Sequence, residues 1–205
     1  KALSLPGDIT FAVIPFTPHG KRLAALAAES GKELMVHTPM SALGRDTFDQ
    51  GGLTPQLSRT EFREYLAAAL EELPRAQGIN NHMGSELTQL REQMGWVMEE
   101  LRGRNLYFVD SRTTGDSVAA AVAREFDVPT LSRQVFLDHV ATEEAIDQQF
   151  QYLIHIAKTF GRAVAIGHPY PETIRYLEAA LPHLGSLGIR LTTVSEALSS
   201  DAHEA

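Results

Sequence analysis

Four side chains able to bind a metal or move a proton, His37, His82, Asp110 and His168, each stand where an apolar run rich in β-branched residues gives out. Imidazole suits acid–base work near neutrality and serves as a metal ligand, and a neighbouring carboxylate can orient it. The chain has no cysteine, which excludes disulfides, thiolate sites and cysteine nucleophiles and leaves imidazole and carboxylate as the donors for any metal. His168 lies between Gly167 and Pro169. Glycine permits close approach and proline drives the residue before it into extended backbone, so the ring sits on a stiff segment suited to a positioned acid or base. Asn80-Asn81-His82 reads as a short turn, either an Asx turn or a site in which His82 is a ligand or donor. Asp110-Ser111-Arg112 reads equally as a helix-entry loop with a local salt bridge.

The remaining histidines have weaker claims. His155 falls on the polar side of a helix whose apolar stripe is Ile146, Phe150, Leu153 and Ala157. His183 and His203 fall in a turn and in the tail, His19 reads as a surface cap, and His139 stays open.

The elements that must position these groups alternate along the chain. Strands are expected at Ile9 to Ile14, Glu33 to Val36, Gln77 to Ile79, Leu106 to Val109, Val128 to Leu131, Val135 to Leu137, Ala163 to Ile166 and Ile189 to Val194. Between them run helical stretches. One follows the capping box Ser58-Arg59-Thr60-Glu61, one spans Thr88 to Arg102, one starts near Asp116 or Ser117, one spans Glu143 to Phe160, one is led by Pro171, and a last is capped by Ser195. Met40 to Leu57 has little period and is long for a connection, which marks it as functional or mobile. Alternation of this kind predicts parallel strands with helical crossovers, an open doubly wound sheet or a barrel, whose ligands bind beyond the carboxyl ends of the strands. A single domain is expected over residues 1–198, with 199–205 as a frayed tail.

The 205 residues carry a formal net charge of −8, which argues against a nucleic-acid backbone or an anionic membrane surface as the main partner. No apolar run approaches the roughly 18 to 20 residues that cross a bilayer. The chain opens at Lys1 without methionine, in the manner of a processed or trimmed polypeptide.

Five motifs, in order, carry a family resemblance: His37-Thr38-Pro39-Met40, Gly78-Ile79-Asn80-Asn81-His82-Met83-Gly84-Ser85, Asp110-Ser111-Arg112-Thr113, Arg133-Gln134-Val135-Phe136-Leu137-Asp138 and Ile166-Gly167-His168-Pro169-Tyr170-Pro171. Together, from about Leu5 to Ser195, they resemble the divergent polysaccharide deacetylases, and more narrowly the proteobacterial envelope branch of that group. The resemblance implies an α/β fold, an irregular deacetylase-like (β/α) barrel of about seven strands. It implies metal-dependent hydrolysis of N- or O-acetyl groups on an envelope glycan or small acetylated sugar, and a periplasmic or exported location. By the resemblance, His37 and His82 would be ligands of a divalent metal, Zn, and His168 the general acid. Asp110 would orient a ligand or the water, and Asn81, Arg112, Arg133 and Asp138 would line or brace the pocket. Family members normally open with a strand ending in paired aspartates. Here Lys1-Ala2-Leu3 resembles the end of the helix after it, so this chain is expected to lack that first strand.

Two other readings use the same residues. One is a non-catalytic envelope module that keeps the fold and a sugar-binding groove, needing no metal and tolerating loss of His168. The other is a different metal-dependent barrel hydrolase for small substrates, with Met40 to Leu57 as a lid.

Overall fold

The computed structural model describes residues 1–45 and 49–201, so residues 46–48 of the long loop and 202–205 of the expected tail lie outside the described residues. In chain order the elements are β1 (Thr10–Val13), α1 (Gly20–Glu29), β2 (Glu33–Met40), α2 (Arg59–Glu72), β3 (Gly78–Met83), α3 (Arg91–Arg104), β4 (Tyr107–Asp110), α4 (Ala119–Glu125) and β5 (Thr130–Ser132). They continue with β6 (Val135–Phe136), α5 (Glu143–Phe160), β7 (Ala165–Ile166), α6 (Pro171–Ala180) and α7 (Val194–Asp201). Every strand pair is parallel. β1 to β5 form one sheet in sequence order, and β6 pairs with β7 in a second. Among the described residues seven parallel strands alternate with helices, the α/β fold expected.

The chain divides into two units. The larger holds Thr10–Ser132 and the segment from Val194, and the smaller holds Lys1–Ile9 and Arg133–Thr193. In the larger unit α2 lies against β2, while α3 and α4 lie against β4. Phe62 and Leu66 of α2 and Met94, Val97, Met98 and Leu101 of α3 are fully buried. In the smaller unit Val135, Leu137, Phe150, Ile154, Ile156 and Leu184 form the core.

Register decides which side chains share a face. Side chains alternate along a strand and paired residues of a parallel ladder project to the same side. With His37 opposite Asn80 and Pro39 opposite His82, one face carries Thr10, Glu33, Met35, His37, Asn80, His82, Tyr107 and Val109. The other carries Val36, Thr38, Ile79, Asn81, Phe108 and Asp110. Gly78 keeps the first face open for the Tyr107 ring, because a Cβ there would fall 2.2 Å from that ring.

At the amino end of the first face, α7 closes the larger unit. Val194 and Leu198 pack on Met35, Tyr107 and Val109. The Val194 N–H donates to Thr10 Oγ1 (3.0 Å) and the Ser195 N–H to the Glu33 carboxylate (3.2 and 3.3 Å). Glu33 also accepts from Thr10 Oγ1 (2.8 Å) and from the buried Tyr107 hydroxyl (3.0 Å). Burial, and then the Glu33 charge beside it, push the Tyr107 phenol far above its ordinary range.

Several boundaries differ from the sequence reading. β2 and β3 were expected to stop at Val36 and Ile79 but run on to Met40 and Met83, because each supplies the other's ladder. Pro39 has no N–H, yet its carbonyl accepts from Leu53 at 2.9 Å, so the strand end stays bonded. His37 and His82 therefore stand inside strands rather than in loops. The helix expected from Thr88 is a 3-10 turn (Leu87–Gln89) followed by α3. Residues 189–193 form no strand. Ile189 and Leu191 instead pack in the smaller unit's apolar cluster. The expected cap Ser195 lies within α7, whose first N–H groups are met by Thr10 and Glu33.

Candidate active site

In the larger unit the structure brings His37 and His82 together. Their register places them on one face of adjacent strands, with ring centroids 4.6 Å apart and the rings at 66°. His37 Nδ1 lies 2.9 Å from Asn80 Oδ1, and His37 Nε2 lies 3.0 Å from His82 Nδ1. His82 Nε2 in turn reaches Asp49 Oδ2 at 3.2 Å. Proton positions follow from the amide. Asn80 Nδ2 donates to Ser111 Oγ (3.2 Å), so its oxygen accepts and His37 carries hydrogen on Nδ1. His37 Nε2 is then an acceptor, and it receives the His82 Nδ1–H. On its far side the His82 ring turns Nε2 to the Asp49 carboxylate.

Local structure holds each member of this chain of contacts. β3 ends directly after His82, where Met83 adopts φ 56° and Gly84 φ 89°. Gly84 suits this bend, since a Cβ would stand 3.2 Å from Met40 and Thr88 and strain the left-handed backbone as well. The Met83 carbonyl accepts from Asn81 Nδ2 and Thr113 Oγ1, each at 2.7 Å. Asp49 begins a turn closed by the Gly52 N–H on its own carbonyl, and buried Leu53 bonds back to Pro39 and Ser41 of the β2 end.

Asp110 and Asn81 belong to the opposite face. The buried Asp110 carboxylate accepts from the Arg112 N–H and Ser117 Oγ, both at 2.8 Å. Ser117 Oγ also accepts from the Ala119 N–H, which ties the start of α4 to the end of β4. Asn81 Oδ1 accepts from the Ser111 N–H at 2.8 Å. Arg112 adopts φ 46° and its guanidinium donates to the Gly115 carbonyl at 3.5 Å. These three residues shape the loop after β4.

In the smaller unit the structure brings Asp138 and His168 together. Asp138 is fully buried. Its Oδ1 lies 3.0 Å from His168 Nδ1, and its Oδ2 accepts from the His168 N–H and from buried Thr173 Oγ1 (2.8 Å). The His168 ring is 41% exposed, which keeps Nε2 within reach of solvent while Nδ1 stays on the carboxylate. Phe136 and Tyr170 flank it at centroid distances of 5.5 and 5.2 Å. Arg133 places its guanidinium 5.5 Å over the Phe136 ring.

The sequence reading did not single out Asn80, Asp49, Ser111 or Thr173. Asn80 could have been found from strand parity, since it shares His82's face. Asp49, Ser111 and Thr173 carry no local signal and are brought in by tertiary folding.

The chain belongs to the divergent polysaccharide deacetylases, whose family model matches residues 1–198. It is 38% identical over 184 residues to an uncharacterized protein, YibQ, of Escherichia coli K12, covering 90% of this chain and 58% of that protein. It is 36% identical over 181 residues to an uncharacterized protein of Haemophilus influenzae Rd, covering 88% of this chain and 65% of that one. The chain thus spans about six-tenths of the length of these relatives. The crystal structure of uncharacterized protein ATU2773 from Agrobacterium tumefaciens C58 shares the fold, with a TM-score of 0.91 at 21% identity over 96% of this chain and 81% of that one.

The donor pair suits a divalent metal in type. His37 Nε2 and His82 Nδ1 face each other across 3.0 Å, a spacing that needs a proton or a cation between them, and Asn80 fixes the remote nitrogen of His37, as hydrogen-bond partners behind metal-binding imidazoles do. Among the described residues no group of three or more His, Asp or Glu side chains gathers for one ion. His37 and His82 would make two of the three protein ligands a catalytic zinc site uses. No helix among them is long and apolar enough to cross a membrane.

Proposed function

We propose that the protein hydrolyses acetyl groups on an envelope glycan, with a divalent metal, best matched by zinc, held by His37 and His82. The observation that carries this reading is the facing pair of ring nitrogens on in-register strands, backed by the Asn80 amide. A metal held there would supply Lewis acidity and a water acidic enough to give hydroxide near neutrality. His37, its hydrogen pinned on Nδ1, offers a lone pair on Nε2 without needing to change tautomer. His168 is the proton donor of this reading. Its Nδ1–H stays on the buried Asp138, so the proton exchanged with a leaving amine or alcohol is the one on Nε2. Asp110, closed into the loop after β4, supports the site's shape. The reading carries an exported, envelope location with it.

Elemental analysis and calorimetry on this chain, on His37→Ala and on His82→Ala, together with acetate release from acetylated glucosamine oligomers and peptidoglycan fragments, test the reading. One ion per chain, lost in both variants, and acetate release that requires His168 are the expected results. No ion bound and no acetate released sinks it. The two-ligand count favours a second reading, a non-catalytic glycan-binding module. That module would bind the same oligomers equally well in chelator and after His168→Ala.

A further inference from the structure

Residues 49–53 are fastened at the carboxyl ends of three neighbouring strands of the larger unit. At β2 the Leu53 N–H donates to the Pro39 carbonyl and the Leu53 carbonyl accepts from the Ser41 N–H, both at 2.9 Å. Just past β1, the Phe16 ring lies so close to Gly51 that a Cβ there would stand 2.5 Å from its Cε2. At β3, Asp49 Oδ2 lies 3.2 Å from His82 Nε2. The Gly52 N–H closes the turn on the Asp49 carbonyl at 2.9 Å. Phe16 itself holds φ 61°, a left-handed backbone that a bulky side chain rarely adopts. Such backbone persists where its surroundings fix it, and it gathers at functional sites. The Asp49 side chain is 54% exposed, so its aim at one nitrogen comes from the turn that carries it.

The two imidazoles of the metal reading are unequally prepared. Asn80 already pins the His37 hydrogen on Nδ1, which leaves a lone pair on Nε2. His82 meets that lone pair with Nδ1, the nitrogen that carries hydrogen in the contact between the rings. A ligand imidazole is neutral and carries its one hydrogen on the nitrogen away from the ion. To bind through Nδ1, His82 must therefore carry hydrogen on Nε2, the atom that Asp49 faces. A neutral ring makes that change by exchange through water, with no net gain or loss of a proton. We infer that Asp49 is a positioning residue that accepts the His82 Nε2–H when the pair holds a metal, and that Phe16, packed on Gly51, keeps the carboxylate aimed. The inference rests on the metal reading above and deepens it. Asp49 does for His82 what Asn80 does for His37.

The test is zinc affinity by calorimetry against a competing chelator, with urea midpoints to show that each variant is folded. Asp49→Ala is expected to bind zinc about tenfold more weakly, the lower end for loss of a hydrogen-bond partner behind a metal-binding imidazole. Asp49→Asn keeps an oxygen that can accept, and should restore most of the affinity. Phe16→Ala and Gly51→Ala break the same contact from either side, and each should weaken zinc by less. Either one combined with Asp49→Ala should bind as Asp49→Ala does, since both act through the carboxylate. Nitrogen-15 spectra of the zinc-loaded chain should show the His82 hydrogen on Nε2. Zinc affinity indifferent to Asp49→Ala overturns the inference and leaves the metal reading standing. Asp49→Asn as weak as Asp49→Ala overturns it as well, because that pattern belongs to a carboxylate that binds the ion itself. Additive losses in the combined variants overturn the part given to Phe16. No zinc bound by the unaltered chain ends the metal reading, and this inference with it.

Discussion

His37 and His168 are oriented by opposite means. His37 sits mid-strand, with the Asn80 amide on one ring nitrogen and the His82 imidazole on the other, while Asp49 reaches the far side of His82. His168 stands past the end of β7 and is gripped by one fully buried carboxylate that also binds its backbone N–H and the Thr173 hydroxyl. A neutral anchor fixes a tautomer while leaving the ring's lone pair available to a cation. A buried charged anchor holds Nδ1 of the ring and leaves Nε2 on the side open to solvent. The proposed roles, ligand for His37 and acid for His168, follow that difference in anchoring.

The sharpest way to break that comparison is stability. Asp138→Ala would strand buried Thr173 and the His168 N–H, at an expected cost of about 3 kcal/mol, since charged acceptors with several donors are expensive to lose. Asn80→Ala removes a neutral anchor and should cost about 1 kcal/mol. Urea unfolding midpoints measure both, and an inverted order would end the distinction. Next in size is a spectroscopic effect. Nitrogen-15 spectra of the apo protein should show both His37 and His168 with hydrogen on Nδ1. Asn80→Ala should release His37 into mixed tautomers while His168 is unchanged, and a His37 spectrum indifferent to Asn80 would contradict the anchoring.

Alkaline pH sharpens the contrast between the units further. Tyr107 in the larger unit and Tyr176 in the smaller both have raised phenol pKa values, each chiefly from burial, with the Glu33 and Asp147 carboxylates adding to it. A raised folded pKa contributes stability that is intact below the ordinary value of 10.0 and is lost as pH rises past it. Stability should therefore fall progressively as pH rises past about 10. Tyr107→Phe should flatten that fall more than Tyr176→Phe, because Tyr107 is buried and Tyr176 only half-buried. The smallest effect belongs to the α2 capping box. Ser58→Ala should cost about 1 kcal/mol at neutral pH. Glu61, whose carboxyl is held low by the Ser58 hydroxyl and N–H, adds stability present above its ordinary 4.5 and lost as pH falls below it. The Ser58 variant should accordingly lose less on acidification.

The sequence revealed most where local chemistry decides. Glu143–Phe160 was legible to the residue because Thr142 caps the Ala145 N–H and Gly161, at φ 80°, ends the helix. The Ser58–Glu61 capping box was legible for the same reason. His37, His82 and His168 stood out through motifs, but the chemistry around them did not. Strand pairing carried β2 and β3 past the ends of their apolar runs, which put His37 opposite Asn80 and turned Asp110 to the other face. The β-branched run at 189–194 looked like a strand because alternation cannot distinguish a paired segment from one buried by side-chain packing alone.

The placement of α7 bears on when the protein can finish folding. The polypeptide passes from one unit to the other at Ile9–Thr10, at Ser132–Arg133 and at Thr193–Val194, so the helix resting on Met35, Tyr107 and Val109 is made only after Arg133–Thr193, long after its sheet. A ribosome would have delivered all five strands of that sheet, histidines included, while Glu33 still awaited the Ser195 N–H. Contacts spanning 162 and 184 residues close slowly because they link distant parts of the chain. During synthesis the Met35, Tyr107 and Val109 side chains of the histidine face would stay wet until α7 arrives to cover them.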